Sequence, residues 1–261
     1  MKILFLSQEE SLFLAPMLDR VFRELKGHPI EVMLLRDLRV PRLARFVELA
    51  RRVGPSYTFR TGIDYALRML GTMAERRGVR LFRTPPSIAA AARRHGMPVH
   101  ERFEKLNAPA TVDFIRSLAP DLVVSVACPQ ILRPAVLGIP PLGCVNVHGS
   151  RLPRYRGMHS AFWQLFHGET DCATTVHFMN EGVDAGPILR QEPWRIEPRD
   201  TLHDVIRKSK SAGAVALVEV IREMEAGRPE TRENPDAGAT RFTEPTREEV
   251  REFRRRGKAL R

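Results

Sequence analysis

The sequence has few of the residues that mark specialised protein classes. Its three cysteines, Cys128, Cys144 and Cys172, are widely spaced and form no Cys-x-x-Cys pair. This argues against a disulfide framework and against a structural zinc site, and it favours a reducing compartment. The apolar run "ILFL" that ends at Ser7 is too short for a signal peptide or a membrane span. We therefore expect a cytoplasmic protein without a transmembrane segment or a metal.

Several catalytic motifs are missing as well. No Gly-x-Gly-x-x-Gly follows the first predicted strand, which argues against a dinucleotide-dependent oxidoreductase. The sequence has neither a Gly-x-Ser-x-Gly nucleophile elbow nor a His-Glu-x-x-His zinc motif. Any chemistry is therefore expected to proceed without a serine nucleophile or a bound metal.

The composition is that of an ordinary globular protein with a basic surface. A length of 261 residues and a hydrophobic content of 43% predict one large domain with, at most, a small appendage. The 42 Lys and Arg residues exceed the 31 Asp and Glu residues, which gives a net charge of +11. Such an excess attracts phosphates, anionic cofactors, nucleic acid or acidic lipid without choosing among them, and a merely solvated basic face is the alternative.

Short apolar runs alternate with helical patterns along the chain. The strand "KILFLS", the helix "ESLFLAPMLDRVFRELKG" and the strand "IEVMLL" form a strand–helix–strand unit, which implies a parallel sheet with a right-handed crossover. Further strands are predicted at "MPVH", "DLVVSVAC", "GCVNVHGS", "CATTVHFMN" and "PILRQEPWRI". The pattern predicts an α/β, Rossmann-like fold in which helices flank a mostly parallel sheet.

Two segments depart from this alternation. Residues 39–79 contain two helical runs, "RVPRLARFVELARRVG" and about "GIDYALRMLGTMAERRG", which we interpret as a helical insertion. Its basic amphipathic helix is expected to pack on the domain or to lie on a membrane surface, and its apolar face suggests a homodimer. After a long predicted helix, residues 227–261 read as a polar linker and a charged helix. We therefore assign residues 1–226 to one catalytic domain and 227–261 to a tail.

Three polar residues stand out near the ends of predicted strands. Asn146 and His148 lie on the same face of one strand, at the carboxyl end where open α/β sheets bind ligands. Asp184 follows in a Gly-flanked loop. Singly, each residue type also occurs as a hydrogen-bonded core group or a turn residue. Together they offer an amide that can donate a hydrogen bond to an oxyanion, an imidazole whose ordinary pKa is near neutrality, and a carboxylate. This set of groups suits direct acyl transfer between two bound substrates.

The residues from about 97 to 210 resemble the 10-formyltetrahydrofolate-dependent formyltransferases, which include methionyl-tRNA, glycinamide ribonucleotide and sugar N-formyltransferases. An Asn-x-His strand, the loop "SRLPRYRG" and a downstream Asp-x-Gly carry the resemblance. It implies that Asn146, His148 and Asp184 are catalytic and that an amine attacks the formyl carbon of 10-formyltetrahydrofolate. It also implies that "CPQIL" and "NEGVD" hold the pterin through Gln130, Ile131, Leu132, Asn180, Glu181 and Val183.

Differences between this sequence and the family that it resembles bear on which molecule accepts the formyl group. The glycinamide ribonucleotide enzymes bind phosphate with a Gly-rich loop after the first strand, whereas this chain has "SQEESLF" there. Glu9 and Glu10 would repel a phosphate; they are candidates to receive a cationic amine or sugar hydroxyls, or else they cap the first helix. Arg154 and Arg156 are candidates for contacts with anionic substrate groups. We therefore expect an amino sugar or another small amine as acceptor.

Other functions stay open. The tRNA enzymes of the family carry a Gly-Thr-Pro motif in the first loop and a C-terminal barrel, whereas about 35 residues follow the last long helix here. The positive charge nevertheless leaves RNA open as a partner. A formyltetrahydrofolate hydrolase would use the same three residues with water as acceptor. A noncatalytic RNA-binding module would explain the charge but not the Asn, His and Asp.

Overall fold

A seven-stranded sheet forms the centre of the computed structural model, which describes residues 1–36, 50–101, 103–227 and 229–261. Its strands are β1 (Ile3–Ser7), β2 (Ile30–Leu34), β3 (Val99–His100), β4 (Leu122–Val126), β5 (Cys144–His148), β7 (Asp171–Phe178) and β8 (Ile188–Arg195), in the order β3-β2-β1-β4-β5-β7-β8. A small second sheet pairs β6 (Arg156–Gly157) with β9 (Arg241–Phe242).

The large sheet is parallel from β3 to β5 and antiparallel beyond it. Strands β1 to β5 pair in parallel, and β7 then runs antiparallel to both β5 and β8. The predicted α/β, Rossmann-like architecture with a mostly parallel sheet is therefore confirmed. Because β7 is antiparallel to β5, Phe178 pairs with Val145 and the β7–β8 loop starts at the amino end of β5. Asp184 of that loop folds back to Asn146 and His148.

Helices cover both faces of the sheet. They are α1 (Leu14–Glu24), α2 (Pro55–Glu75), α3 (Ile88–Arg94), α4 (Pro109–Leu118), α5 (Pro134–Leu137), α6 (Ser160–Phe166), α7 (Leu202–Ala226) and α8 (Arg247–Arg255). Alternate residues of β1 enter two separate cores: Ile3 and Phe5 pack with α1, α3 and α7, whereas Leu4 and Leu6 pack with α4 and α5. Burial on both faces explains why β1 has no polar alternation.

The predicted insertion is described only in part. Its first run falls largely on residues 37–49, which lie outside the described residues. The second run is helical, but α2 begins seven residues earlier than expected, at Pro55. The reason is local: Gly54 has a φ of 86°, and proline is well suited to the first helical position. Phe59, Ile63 and Leu70 of α2 remain exposed, and the homodimer stays a prediction.

The tail contacts the rest of the domain directly. Strand β9 pairs with β6, and the ring of Phe242 stacks on Tyr155 and Trp163 with centroids 5.3 and 4.8 Å apart. Helix α8 follows behind a capping box made by Thr246 and Glu249. Among the described residues, no helix is both long and apolar enough to cross a membrane.

Candidate active site

The pairing of β5 with β7 builds the floor of the candidate site. Asn146 and His148 lie at the carboxyl end of β5, as their spacing predicts, and the antiparallel register places His177 of β7 opposite Asn146. The side chains of His148 and His177 are only 8% and 3% exposed. Two imidazoles and an amide are thus held together in a nearly dry environment by strand geometry alone.

Asp184 reaches this floor from the loop between β7 and β8. Its side chain is 12% exposed, and its Oδ2 accepts a hydrogen bond of 2.8 Å from the backbone N–H of Gly157. Gly157 has a φ of 93°, and a Cβ there would lie 2.3 Å from the carbonyl oxygen of Phe242. Glycine at this position is therefore required by close approach of the backbone, and it lets the "YRG" turn support the carboxylate.

The three predicted residues meet at hydrogen-bonding distances. Asn146 Nδ2 lies 3.3 Å from Asp184 Oδ1 and 3.3 Å from His177 Nε2, and His148 Nδ1 lies 3.4 Å from Asp184 Oδ2. Both contacts of the amide are at the long end of the hydrogen-bond range. An incoming oxygen atom can therefore replace one of them at small cost.

The other ring nitrogens settle the tautomers. His148 Nε2 lies 2.7 Å from the carbonyl oxygen of Tyr155, and His177 Nδ1 lies 2.7 Å from that of Phe178. A carbonyl only accepts, so each of these nitrogens carries a proton and donates. In the neutral rings, His148 Nδ1 is then a free base facing Asp184, and His177 Nε2 accepts from the Asn146 amide.

The pKa values of His148 and Asp184 are both lowered in the site. Burial lowers the pKa of His148 below its ordinary value, although Asp184 acts in the opposite direction. Burial alone would raise the pKa of Asp184, but the positive charge of His148 and His177, when either ring is protonated, and the Gly157 N–H hold it well below the usual range. The resting state is therefore a neutral imidazole beside an ionised carboxylate.

The tail fixes the loop that carries Asp184. Asn234 Nδ2 lies 2.9 Å from the carbonyl oxygens of both Asp184 and Gly186. Asp184 itself has a φ of 50°, a left-handed conformation that only a few non-glycine residues adopt. The Asn234 amide thus ties down an unusual backbone conformation at the point where the carboxylate is aimed.

The loop after β4 carries the first half of the predicted pterin site. The side-chain amide of Gln130 is hydrogen-bonded to the backbone of Arg36, Glu104 and Leu106 and is therefore not directed toward a ligand. Ile131 is 68% exposed, whereas Leu132 is buried. Gln130 is therefore a brace for the loop, and Ile131 is the apolar side chain that this loop presents.

The β7–β8 loop carries the second half. Asn180 uses its side-chain oxygen to accept the backbone N–H of Gly182 at 3.0 Å, while Glu181 is exposed and Val183 is half-buried. The side chain of Asn180 thus shapes the turn. Backbone groups and Val183 are what this loop can offer to a flat heterocycle beside Asp184.

Both predicted glutamates of the first loop bind backbone N–H groups. Glu10 accepts from Leu12, Phe13 and Leu14 at 2.7–2.9 Å and therefore caps α1; it also accepts from the Tyr65 hydroxyl at 3.0 Å. Glu9 accepts from Ile88 and Ala89 at the start of α3. Glu10 therefore caps α1, as one of the two expectations has it. Glu9 caps α3 instead of α1.

Arg154 and Arg156 both have partners within the protein. Arg154 pairs with Glu169 and lies over the Tyr155 ring, 5.2 Å from its centroid. Arg156 is buried and donates to Asp236 and to the backbone and side chain of Asn234. The Arg156 guanidinium therefore joins the loop to the tail, whereas that of Arg154 joins the loop to Glu169, before β7. The expected contacts of both groups with an anionic substrate stay a prediction.

His177 and Asn234 contact the predicted residues but are not predicted from the sequence. A signal for His177 was present, because "TTVHF" places a polar ring in an apolar strand, but its register with Asn146 follows only from the antiparallel pairing. Asn234 lies in a stretch that reads as a polar linker, and nothing in its local pattern points to Asp184, 50 residues away in sequence.

Comparison with known proteins shows the family of this chain. The sequence model of a family described as Formyl transferase matches residues 73–221. The methionyl-tRNA formyltransferase of Trichlorobacter lovleyi is 41% identical over 144 residues, which cover 55% of this chain and 45% of that protein. The corresponding protein of Pelobacter propionicus is 37% identical over 185 residues, 69% of this chain and 57% of that protein. The chain thus spans about half the length of these curated relatives.

Solved structures share the fold over a larger part of the chain. A glycinamide ribonucleotide transformylase from Symbiobacterium toebii has a TM-score of 0.61 at 19% identity, covering 90% of this chain and 94% of that one. A sugar N-formyltransferase from Shewanella sp. has a TM-score of 0.59 at 15% identity, covering 97% and 87%. Since the family match extends over more than half of the 261 residues and includes all three converging side chains, the chain belongs to the formyl transferase family.

Proposed function

We propose that this chain is a cytoplasmic enzyme that transfers a formyl group from 10-formyltetrahydrofolate to the primary amine of an amino sugar or another small molecule. The observation that carries the proposal is the convergence of Asn146, His148 and Asp184 at the end of β5, in a chain of this family. Cys128, Cys144 and Cys172 are free thiols, which agrees with a reducing compartment.

Asn146 is the donor to the formyl oxygen. Its amide makes two long hydrogen bonds of 3.3 Å, to His177 and to Asp184, and gives up one of them when negative charge develops on that oxygen. The amide is uncharged and already oriented, so its reorganisation during the reaction is small. Electrostatic stabilisation of this type contributes about 100- to 1000-fold in rate.

His148 is the proton acceptor. Its Nε2–H is committed to the Tyr155 carbonyl, so the proton lost by the acceptor amine goes to Nδ1. Asp184 Oδ2, 3.4 Å away, then stabilises the imidazolium that forms. The lowered pKa of His148 keeps Nδ1 free to accept a proton at neutral pH.

The two flanking loops fit a folate. Exposed Ile131, in the loop after β4, and half-buried Val183, next to Asp184, provide apolar surfaces, and the braced loops present backbone donors and acceptors. A flat pterin needs this combination of apolar contact and a few fixed polar groups. When bound, 10-formyltetrahydrofolate supplies the formyl group. Gln130 and Asn180 would hold the loops in shape, Ile131 and Val183 would contact the pterin, and Leu132 and Glu181 would contribute backbone groups.

The test is to incubate the protein with 10-formyltetrahydrofolate and a panel of amines, including amino-sugar nucleotides, while following tetrahydrofolate release. We expect release that depends on one class of amine. Asn146→Ala should lose at least about 100-fold in rate while its circular dichroism stays that of the wild type. Release without any amine would identify a hydrolase, and unchanged transfer by Asn146→Ala would refute the assignment of Asn146.

A methionyl-tRNA formyltransferase-like activity is the second candidate. The 41% identity to such an enzyme favours it, and the +11 charge suits a polyanionic acceptor. Charged initiator tRNA therefore belongs in the same panel. Formylation of the aminoacyl-tRNA at a rate above that of every small amine would replace the small-molecule proposal with this one.

A further inference from the structure

Helix α2 turns an unusual side toward the domain. Its buried positions are Thr58, Thr61 and Gly71, which are small or polar. A Cβ at Gly71 would lie 2.4 Å from the ring of Phe82, so this side of the helix packs closely. A helix on a protein surface ordinarily buries its apolar side and exposes its polar side. In α2 the two sides are exchanged.

The side of α2 that faces solvent is apolar. Six large side chains there are between 44% and 69% exposed: Phe59, Ile63, Leu67, Met69, Leu70 and Met73. We call them the apolar strip. At about 100° per residue, these positions fall within an arc of roughly 160° and extend over about 21 Å of the helix. A continuous exposed apolar surface of this kind marks an interaction site.

The charges of the same segment are distributed unevenly. Residues 55–83 contain two carboxylates and six arginines. Asp64 pairs with Arg261 at 2.6 Å, and Glu75 pairs with Arg94 of α3. Four of the arginines are exposed and have no ion pair within the parts of the chain that the structure describes: Arg60, Arg77, Arg80 and Arg83. By helical spacing Arg60 borders the apolar strip, and the other three follow the carboxyl end of α2. The segment therefore offers free positive charge but no free carboxylate.

Three kinds of partner could cover such a surface, and its charges favour one of them. A second copy in a two-fold contact would place the same patch opposite itself. The arginines of both copies would then meet without free carboxylates between them, which costs free energy. A nucleic acid would neutralise the arginines but would leave the apolar strip in contact with water. An anionic lipid bilayer accommodates both features, because apolar side chains enter the acyl boundary and arginines bind the headgroups.

We propose that the apolar strip and the exposed arginines beside it form a docking surface for an anionic lipid bilayer. Helix α2 lies in the plane of the interface, with the apolar strip buried roughly 5–10 Å into it. The Tyr65 hydroxyl donates to Glu10 at 3.0 Å, which ties α2 to the loop after β1. Because β1, β4 and β5 are parallel, this loop and His148 lie at the same edge of the sheet. The docking surface is thus attached at the edge that carries the candidate site.

The binding test is cosedimentation of the full chain with vesicles made of equal parts of phosphatidylglycerol and phosphatidylcholine. Binding should be at least about tenfold weaker on vesicles of phosphatidylcholine alone, and it should weaken as salt is raised. Phe59→Ser/Leu70→Ser should lose about tenfold or more in affinity, because two apolar side chains no longer enter the acyl boundary. Both side chains are more than half exposed in the free protein, so the melting temperature should remain that of the wild type. Equal vesicle binding by this variant and the wild type would overturn the proposal.

The contribution of charge is tested with a matched pair of variants. Arg77→Gln/Arg80→Gln should lose about tenfold or more in affinity for the anionic vesicles. Arg199→Gln/Arg251→Gln removes two exposed charges outside residues 55–83 and should bind nearly as well as the wild type. Equal losses in the two variants would show attraction by net charge alone and would overturn the docking surface.

Two other results would replace the bilayer with a different partner. A dimer in sedimentation equilibrium that Phe59→Ser/Leu70→Ser dissociates, in a protein that does not bind vesicles, would identify a second copy. RNA binding that Arg77→Gln/Arg80→Gln removes and Phe59→Ser/Leu70→Ser retains, again without vesicle binding, would identify a nucleic acid. These assays contain neither folate nor amine, so the docking surface is tested separately from formyl transfer.

Discussion

Replacing Asp184 with asparagine removes one charge and keeps nearly the same shape. The amide oxygen of the substituted side chain would still accept the Gly157 N–H, but the imidazolium on His148 would lose the carboxylate that now lies 3.4 Å away. At an effective dielectric constant of about 20, that attraction amounts to roughly 5 kcal/mol before desolvation is subtracted. A net loss of about 3 kcal/mol in the transition state corresponds to roughly a 100-fold lower kcat.

The assay is steady-state tetrahydrofolate release with the amine identified in the panel, together with thermal unfolding. Asp184→Asn should lower kcat while its melting temperature stays close to that of the wild type. Asp171→Asn is the control, because Asp171 lies at the far end of β7 in an exposed pair with Arg195. A kcat for Asp184→Asn within a factor of about three of the wild type would refute the role of the carboxylate, since that factor is well under 1 kcal/mol.

Three further perturbations follow from the same geometry. His177→Phe should lower kcat by about tenfold with little effect on KM, since the Asn146 amide loses an acceptor, and His177→Gln should recover part of the rate. Asn234→Ala should destabilise the protein by about 1–2 kcal/mol in thermal unfolding and also slow transfer, because two carbonyl groups of the Asp184 loop lose their donor. The pKa of His148 is depressed in the folded protein, so the free energy of unfolding should be retained at neutral pH and decrease below the ordinary histidine pKa of about 6.5. The transfer rate should fall only at a lower pH, because it follows the depressed pKa of the folded state. Unfolding curves across about pH 5 to 8 check the first expectation, and a stability that does not decrease toward about pH 5 would contradict it.

Much of the fold could be predicted because its signals are local. The uninterrupted apolar runs of β1 and β4 indicate strands buried on both faces, and the helical spacing of α1 and α7 is unambiguous. The antiparallel direction of β7 could not be read in the same way. Strand direction depends on which edge the chain reaches after β5, and no periodicity in the sequence encodes that choice.

The candidate site also contains residues that local sequence patterns predict and residues that depend on the tertiary structure. Asn146 and His148 were predictable as a same-face pair, because two residues on one strand share a face whatever the tertiary structure. The second imidazole was not, because His177 becomes a partner of Asn146 only through the register of β5 with β7. The glutamates of the first loop were ambiguous for another reason: a carboxylate near a helix start serves capping and ligand binding equally well, and only the observed N–H partners of Glu10 distinguish the two.

Residues of the tail help to orient the Asp184 carboxylate. Asn234, beyond the domain boundary expected at residue 226, donates a hydrogen bond to the carbonyl oxygen of Asp184, while Arg156 donates to Asn234 and Asp236. The turn that supports the carboxylate through Gly157 is in turn paired with β9. The carboxylate is therefore aimed by two segments that are far apart in sequence and are joined through the tail. Loosening the tail should reduce catalysis through the orientation of Asp184, even though no tail residue touches the reacting atoms.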